Sequence, residues 1–198
     1  GTSSHAIANM LGYEDGENIP FQEMFFILDK IVKSTNLFVS ADLESGYSDD
    51  PFEVASNVEK LVDLGILGIN LEDGLTKGNN RSLGETSILS NKIKAIKTHL
   101  KSKGKDIYIN ARIDTYTTKH SNAINETLDR IKLYEEAGAN GFFVPLINTD
   151  EDIKLVLNAT KLPLNVFMKS GLKSYDEFAQ LGVHRISYGN AIHAQITE

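Results

Sequence analysis

The chain has 198 residues, 41% of them hydrophobic, carries a formal charge of −7 and contains no cysteine. That is enough apolar material for one sizeable core, and the missing thiols exclude disulfides, cysteine–zinc sites and thiol catalysis. No basic stripe of the nucleic-acid-binding kind is present, and no leader or long apolar run marks a signal peptide or membrane span, so a soluble cytoplasmic protein is expected.

Residues 1–4, Gly-Thr-Ser-Ser, read as the end of a strand. Met24 to Leu28 form the apolar stripe of a core helix. Residues 37–42 are a β-rich apolar run and read as a buried strand. Asp50-Pro51-Phe52-Glu53 supplies an N-cap, an N1 proline and a capping-box glutamate. Val54, Val58, Leu61 and Val62 then repeat at helical spacing up to Gly65, which fits a C-terminal cap. Residues 66–71 read as the next strand, 74–81 as a Gly/Asn-rich turn and 87–100 as a helix. A strand at 107–111 follows. Ile124, Leu128, Ile131 and Tyr134 then mark a helix ending at Gly138. Strands at 141–145, 162–167 and 185–188 alternate with helices at 150–159 and from Ser174 to near Gly182.

Strict alternation of strand and helix means a parallel α/β sheet. A doubly wound sheet and a (β/α)₈ TIM-type barrel both fit. The strand count, with the stub at residue 1, favours the barrel. Residues 1–198 are therefore read as one incomplete (β/α)₈ domain, with an opening strand and helix expected before residue 1 and a last helix after residue 198.

In such a barrel the chemistry sits at the C-terminal ends of the strands. Asp42 and Glu44 end one strand, Glu72 and Asp73 the next, Asn110 and Arg112 the third. Asp42 and Glu44, two apart, would share a face of a strand. Acids from neighbouring strands suit Mg²⁺, which prefers carboxylates and keeps several waters. An arginine beside them suits a substrate carboxylate or phosphate. The competing reading is strand-end caps and surface ion pairs.

These segments resemble the phosphoenolpyruvate mutase / isocitrate lyase superfamily. Val39-Ser-Ala-Asp-Leu-Glu-Ser-Gly-Tyr47 is similar to its D-x-[DE]-x-GYG segment. Gly68-Ile-Asn-Leu-Glu-Asp73 resembles G-x-x-[IL]-E-D, and Ile109-Asn-Ala-Arg-Ile-Asp-Thr-Tyr116 resembles I-x-A-R-T-D. Residues 2–8 and 11–17 resemble the loop after its second strand, and 141–145 and 181–189 its late strands. The likeness spans nearly the whole chain in order. It implies a barrel entered at its second strand and a homo-oligomer, a dimer of dimers, whose last helix is exchanged between subunits. It implies Mg²⁺ (or Mn²⁺) held by Asp42, with Glu44, Glu72 and Asp15 ordering its waters. Thr2, Ser3 and Ser4 would bind a substrate carboxylate, Arg112 would hold the same ligand, and Tyr47 is a candidate contact. The implied substrate is a small 2-oxo or 2-hydroxy carboxylate, cleaved through an enolate whose charge the metal and Arg112 stabilise.

The departures narrow this. The K-[KR]-C-G-H loop of isocitrate and methylisocitrate lyases is replaced by residues 74–81, without Cys or His. Lys77-Gly78-Asn79 is only a partial echo of the P-K-x-N-S loop of phosphonate-forming mutases. The phrases NLEDG, INARIDTY, FFVPL and PLNVF resemble the 2-oxo acid lyase and oxaloacetate decarboxylase subgroup. A carbon–carbon lyase is therefore expected, with a C–P mutase or hydrolase as first rival and a non-catalytic barrel as second. His5, in the substrate loop with no acid assigned to it, reads as solvated. His184 and His193 read as structural, His99 and His120 as surface. Lys97 to Lys105 form a solvated helix end.

Overall fold

A computed structural model describes residues 1–77, 80–168 and 171–197. In chain order it contains α1 (Ser4–Met10), α2 (Phe21–Lys33), β1 (Val39–Asp42), α3 (Pro51–Leu64) and β2 (Ile66–Glu72). Next come β3 (Gly74–Lys77), β4 (Asn80–Leu83), α4 (Thr86–Ser102), β5 (Tyr108–Arg112), α5 (Ala123–Ala137) and β6 (Gly141–Phe143). The last elements are α6 (Asp150–Ala159), β7 (Leu164–Phe167), α7 (Tyr175–Leu181), β8 (Arg185–Ser187) and α8 (Ala191–Thr197).

The helix punctuation works largely as the sequence suggests. Asp50 caps α3 by accepting the Phe52 N–H at 3.0 Å, and Gly65, at φ 102°, ends it. The expected capping box at Glu53 does not form, because that carboxylate accepts the Ser48 hydroxyl at 2.7 Å instead. The box at Ser174 and Glu177 does form. In α2 the buried stripe is Phe21, Met24 and Leu28, while Phe26 is exposed. At 3.6 residues per turn, five consecutive apolar residues cannot all face one core.

Six strands form one parallel sheet in the order β1-β2-β5-β6-β7-β8. Its two faces are chemically opposite, as the two-residue period of a strand demands. Ala41, Ile69 and Ile109 lie in lateral register on one face, as do Leu71, Ala111 and Phe142. These residues join the buried faces of α3, α4, α5 and α6 in one apolar core. The other face carries Asp42, Asn70 and Asn110 in one row and Glu72, Arg112, Phe143, Asn165 and Arg185 in the next. The amides pair with neighbours: Asn110 Nδ2 donates to Asn70 Oδ1 at 2.8 Å, and Asn165 Nδ2 to Ser187 Oγ at 2.9 Å.

The sheet curls so that its edges approach each other. Thr2 N–H donates to Ser40 O on β1 at 2.9 Å. A Cβ on Gly1 would lie 2.8 Å from Ser40 Oγ and 3.6 Å from Arg185 Nη2 on β8. Two expectations are corrected here. Residues 1–4 are not a strand: Thr2 makes its bond to Ser40, and Ser3 then caps α1 by accepting the Ala6 N–H at 3.3 Å. Residues 74–81 are not a simple turn: β3 and β4 pair antiparallel, Gly74 with Leu83 through Lys77 with Asn80. The strand signal was masked there by Gly74, Gly78, Asn79 and Asn80, residue types depleted in strands. The partial mutase echo centres on Gly78 and Asn79, which lie outside the described residues.

Candidate active site

Asp42, Glu72 and Arg112 are the last residues of β1, β2 and β5. They open into a cavity of about 530 Å³, which Thr2, Ser3, Ser4, Asp15 and Glu44 also line. Tyr47, and the strand-end residues Asp73 and Asn110, are outside its lining. The Tyr47 ring packs 5.8 Å from that of Phe21, and its buried hydroxyl has no hydrogen-bond partner among the described residues.

Asp42 is fixed by the residues expected to hold substrate. Its Oδ2 accepts the Ser4 N–H at 3.2 Å and the Ser4 hydroxyl at 2.9 Å. Its own N–H donates to Thr2 Oγ1 at 3.2 Å. Thr2 and Ser3 act as acceptors in these bonds, which leaves their O–H donors available to a ligand. Ser4 is spent on Asp42.

Glu44 follows β1 in a left-handed turn. It has φ 48°, Gly46 φ 109° and Tyr47 φ 61°. A Cβ on Gly46 would meet Val54 Cγ1 at 2.9 Å, so this position requires glycine. The Glu44 carbonyl accepts the Glu72 N–H at 2.8 Å, which ties the turn to β2. Burial, then the charges of Glu72, Asp15, Asp42 and Glu17, push the Glu44 carboxyl up to about 8.

Asp42 Oδ1 and Glu44 Oε1 are buried and find no hydrogen-bond partner among the described residues. Two unsatisfied carboxylate oxygens among other acids are unfavourable unless a cation completes them. Among the described residues no three acids converge as direct ligands of one ion. The donor set thus fits a hydrated Mg²⁺ or Mn²⁺ with one or two direct carboxylates and the rest through water.

Beside these acids lies an ion-pair quartet that the sequence only half disclosed. Arg112 Nε and Nη2 donate to Asp114 Oδ1 at 3.1 and 2.9 Å. Arg112 Nη1 lies 2.8 Å from Glu72 Oε2, outside hydrogen-bond geometry. From β4, Arg81 Nη2 donates to Glu72 Oε1 at 2.6 Å and Asp114 Oδ2 at 2.5 Å. Burial pushes the Glu72 carboxyl up, with Arg112 opposing. Burial would also raise Asp114, but Arg112 and Arg81 together hold it below its ordinary value. Thr117 Oγ1 donates to Asp114 Oδ1 at 2.6 Å, and the Arg112 guanidinium lies 5.7 Å from the Phe143 ring centroid.

Asp73, expected at the rim, faces the other way. Its Oδ1 accepts the Asp114 N–H at 2.9 Å, and its Oδ2 accepts Arg130 Nη1 and the Tyr134 hydroxyl, each at 2.9 Å. The residues missed in the sequence are therefore Arg81 and Asp114. Asp114 stood two residues after Arg112 in the quoted motif, but nothing local marked it as a partner. Arg81 needed the register of the hairpin. His5 is exposed, as expected, but it does have an acid beside it: its Nδ1 lies 3.0 Å from Asp15 Oδ2 on the cavity wall.

A family model described as phosphoenolpyruvate phosphomutase matches residues 1–198. An uncharacterized protein of Mycobacterium tuberculosis is 31% identical over 190 residues, spanning 96% of this chain and 69% of that protein. The 2,3-dimethylmalate lyase of Eubacterium barkeri is 29% identical over 155 residues, 75% of this chain and 51% of the lyase. A crystal structure of a candidate phosphonomutase from Burkholderia cenocepacia J2315 superposes with a TM-score of 0.91 at 33% identity, covering 99% of this chain and 80% of that one. Among the described residues no helix is long and apolar enough to cross a membrane.

Proposed function

Because the chain belongs to the phosphoenolpyruvate phosphomutase family, within the phosphoenolpyruvate mutase / isocitrate lyase superfamily, we propose that it is a metal-dependent lyase that breaks a carbon–carbon bond next to a 2-oxo acid and leaves an enolate. The curled sheet is read as part of a (β/α)₈ barrel with its site at the strand ends. The observation that carries the reading is the pair of unsatisfied oxygens, Asp42 Oδ1 and Glu44 Oε1, in the same cavity as Arg112.

In this reading Asp42 holds Mg²⁺ or Mn²⁺ directly, while Glu44, Glu72 and Asp15 hold its waters. The metal supplies Lewis-acid stabilisation of charge on the 2-oxo oxygen. The chain's own groups do the rest. Thr2 and Ser3 donate their hydroxyls to the substrate carboxylate. Arg112, already oriented by Glu72 and Asp114, faces the oxygen on which negative charge develops. Decarboxylation makes the least demand on such a site. The C–C bond electrons pass into the enolate, CO₂ leaves, and water protonates the enolate carbon to give the new 2-oxo acid. No thiol acid is required, in keeping with a chain that has no cysteine.

A second reading, transfer or hydrolysis at a C–P bond, is favoured by the family model's description and by the likeness to the candidate phosphonomutase. One comparison separates the two. Oxaloacetate and 3-substituted 2-oxo acids are offered with Mg²⁺, and pyruvate is read by coupled lactate dehydrogenase. Phosphonopyruvate is followed in parallel by phosphorus NMR. Metal-dependent pyruvate release supports the lyase. Silence there with interconversion of phosphonopyruvate and phosphoenolpyruvate establishes the mutase.

A further inference from the structure

The turn that carries Glu44 is gripped from two sides by charged side chains that do not reach the substrate cavity. Lys92, on α4, is 1% exposed and stands on a helix face whose other buried positions are Leu89, Ile93, Ile96 and Leu100. Its ammonium crosses to the turn and donates to Ser45 O at 2.8 Å. Glu17, from the loop after α1, approaches the same residue. Its Oε2 accepts the Ser45 hydroxyl at 2.8 Å and its Oε1 accepts the Tyr47 N–H at 2.8 Å. Ser45 is thus held through its carbonyl by a cation and through its hydroxyl by an anion.

The turn needs such restraint. Glu44 and Tyr47 are non-glycine residues at positive φ, and so is Glu17, at 61°. Residues in that region persist only where their surroundings over-determine them. A buried ammonium is also unfavourable compared with an apolar side chain of the same shape. Lys92 spends that buried charge on the backbone of the turn rather than on the core around it. With Glu44 O already fixed by Glu72 N–H, the two grips at residues 45 and 47 set where the Glu44 carboxylate points.

We infer that Glu17 and Lys92 are positioning residues that aim Glu44 at the metal and so set its affinity. The inference rests on the metal reading above. It is tested by titrating Mn²⁺ calorimetrically into the wild type, Asp42→Ala, Glu17→Gln, Lys92→Met and the Glu17→Gln/Lys92→Met double variant. Thermal unfolding of each is measured in parallel without metal. The wild type binds Mn²⁺ and Asp42→Ala does not. Each single variant weakens Mn²⁺ binding about 10–100-fold, the range typical of groups that orient metal ligands. Metal-free Lys92→Met melts somewhat below the wild type, because the Ser45 carbonyl loses its donor, and its loss of Mn²⁺ affinity exceeds what that shift accounts for. The double variant loses less than the product of the two single losses, because both residues act on one turn. If folded Lys92→Met and Glu17→Gln bind Mn²⁺ like the wild type, or lose affinity only in step with metal-free melting temperature, the inference is overturned. If Lys92→Met does not fold, Glu17→Gln decides by the same criterion. A wild type that binds no Mn²⁺ removes the metal reading and this inference with it; wild-type-like binding by Asp42→Ala removes only the assigned site, and the inference goes with that site.

Discussion

Arg81 and Arg112 share Glu72: one carboxylate oxygen takes Arg81 Nη2 at 2.6 Å, and the other lies 2.8 Å from Arg112 Nη1. The two guanidiniums come from a hairpin and from the end of β5, and they meet again on Asp114. Arg112 is thus oriented before any ligand arrives, which is what charge stabilisation in a transition state requires.

The Asp42 carboxylate is expected to be indispensable for metal and dispensable for the fold. Asp42→Ala should abolish Mg²⁺-dependent turnover and leave the circular dichroism spectrum unchanged. Full turnover by this variant in the presence of chelator would sink the assignment.

Arg112→Ala should lower kcat and kcat/KM together, by about 2.7–4 kcal/mol if it acts as a single oxyanion donor. A rise in KM with unchanged kcat would instead show that Arg112 binds substrate and transition state equally.

Asp114 is fully buried and accepts from both arginines. Asp114→Asn removes the charge while keeping the shape, and should destabilise the fold by about 3 kcal/mol, the scale of breaking a buried ion pair. Chemical denaturation measures this. The catalytic loss should follow Arg112→Ala in direction, since the guanidinium loses its orienting partner. An unchanged denaturation midpoint would show that Glu72 alone suffices.

The pH dependence follows from Glu44, whose carboxyl rises from 4.5 to about 8 through burial and neighbouring acids. The unfolded chain releases this proton near its ordinary value, whereas the metal-free fold retains it. Metal-free stability should therefore fall as pH rises from about 4.5 to about 8. In the proposed site Mg²⁺ would take the deprotonated form, so its stabilisation should grow over the same interval, with proton release on binding. Melting curves with and without Mg²⁺ across this range check both signs. Parallel curves at every pH would contradict them.

Much of this was legible before the structure. The six strand cores and the helix caps at Asp50, Gly65, Gly138 and Ser174 follow from local pattern, because burial and capping depend on near neighbours. Asp42, Glu44, Glu72 and Arg112 could be placed together because all end, or directly follow, parallel strands. Partners distant in sequence were not legible. Arg81 reaches Asp114 across 33 positions, and Lys92 reaches Ser45 across 47. Ser4, expected on the substrate, is turned to Asp42 by a helix that begins at that residue.

The asparagines on the polar face of the sheet also bear on how the chain folds. Asn70 and Asn110 are in register and bonded to each other, and Asn165 is bonded to Ser187 on the next strand. Sliding one strand by a single residue would exchange its faces. The amides would then be driven into the aliphatic layer under the helices, and Ile69 or Ile109 would be turned toward water. The polar face thus acts as a proofreading key for strand alignment: a misregistered sheet is penalised on both faces at once.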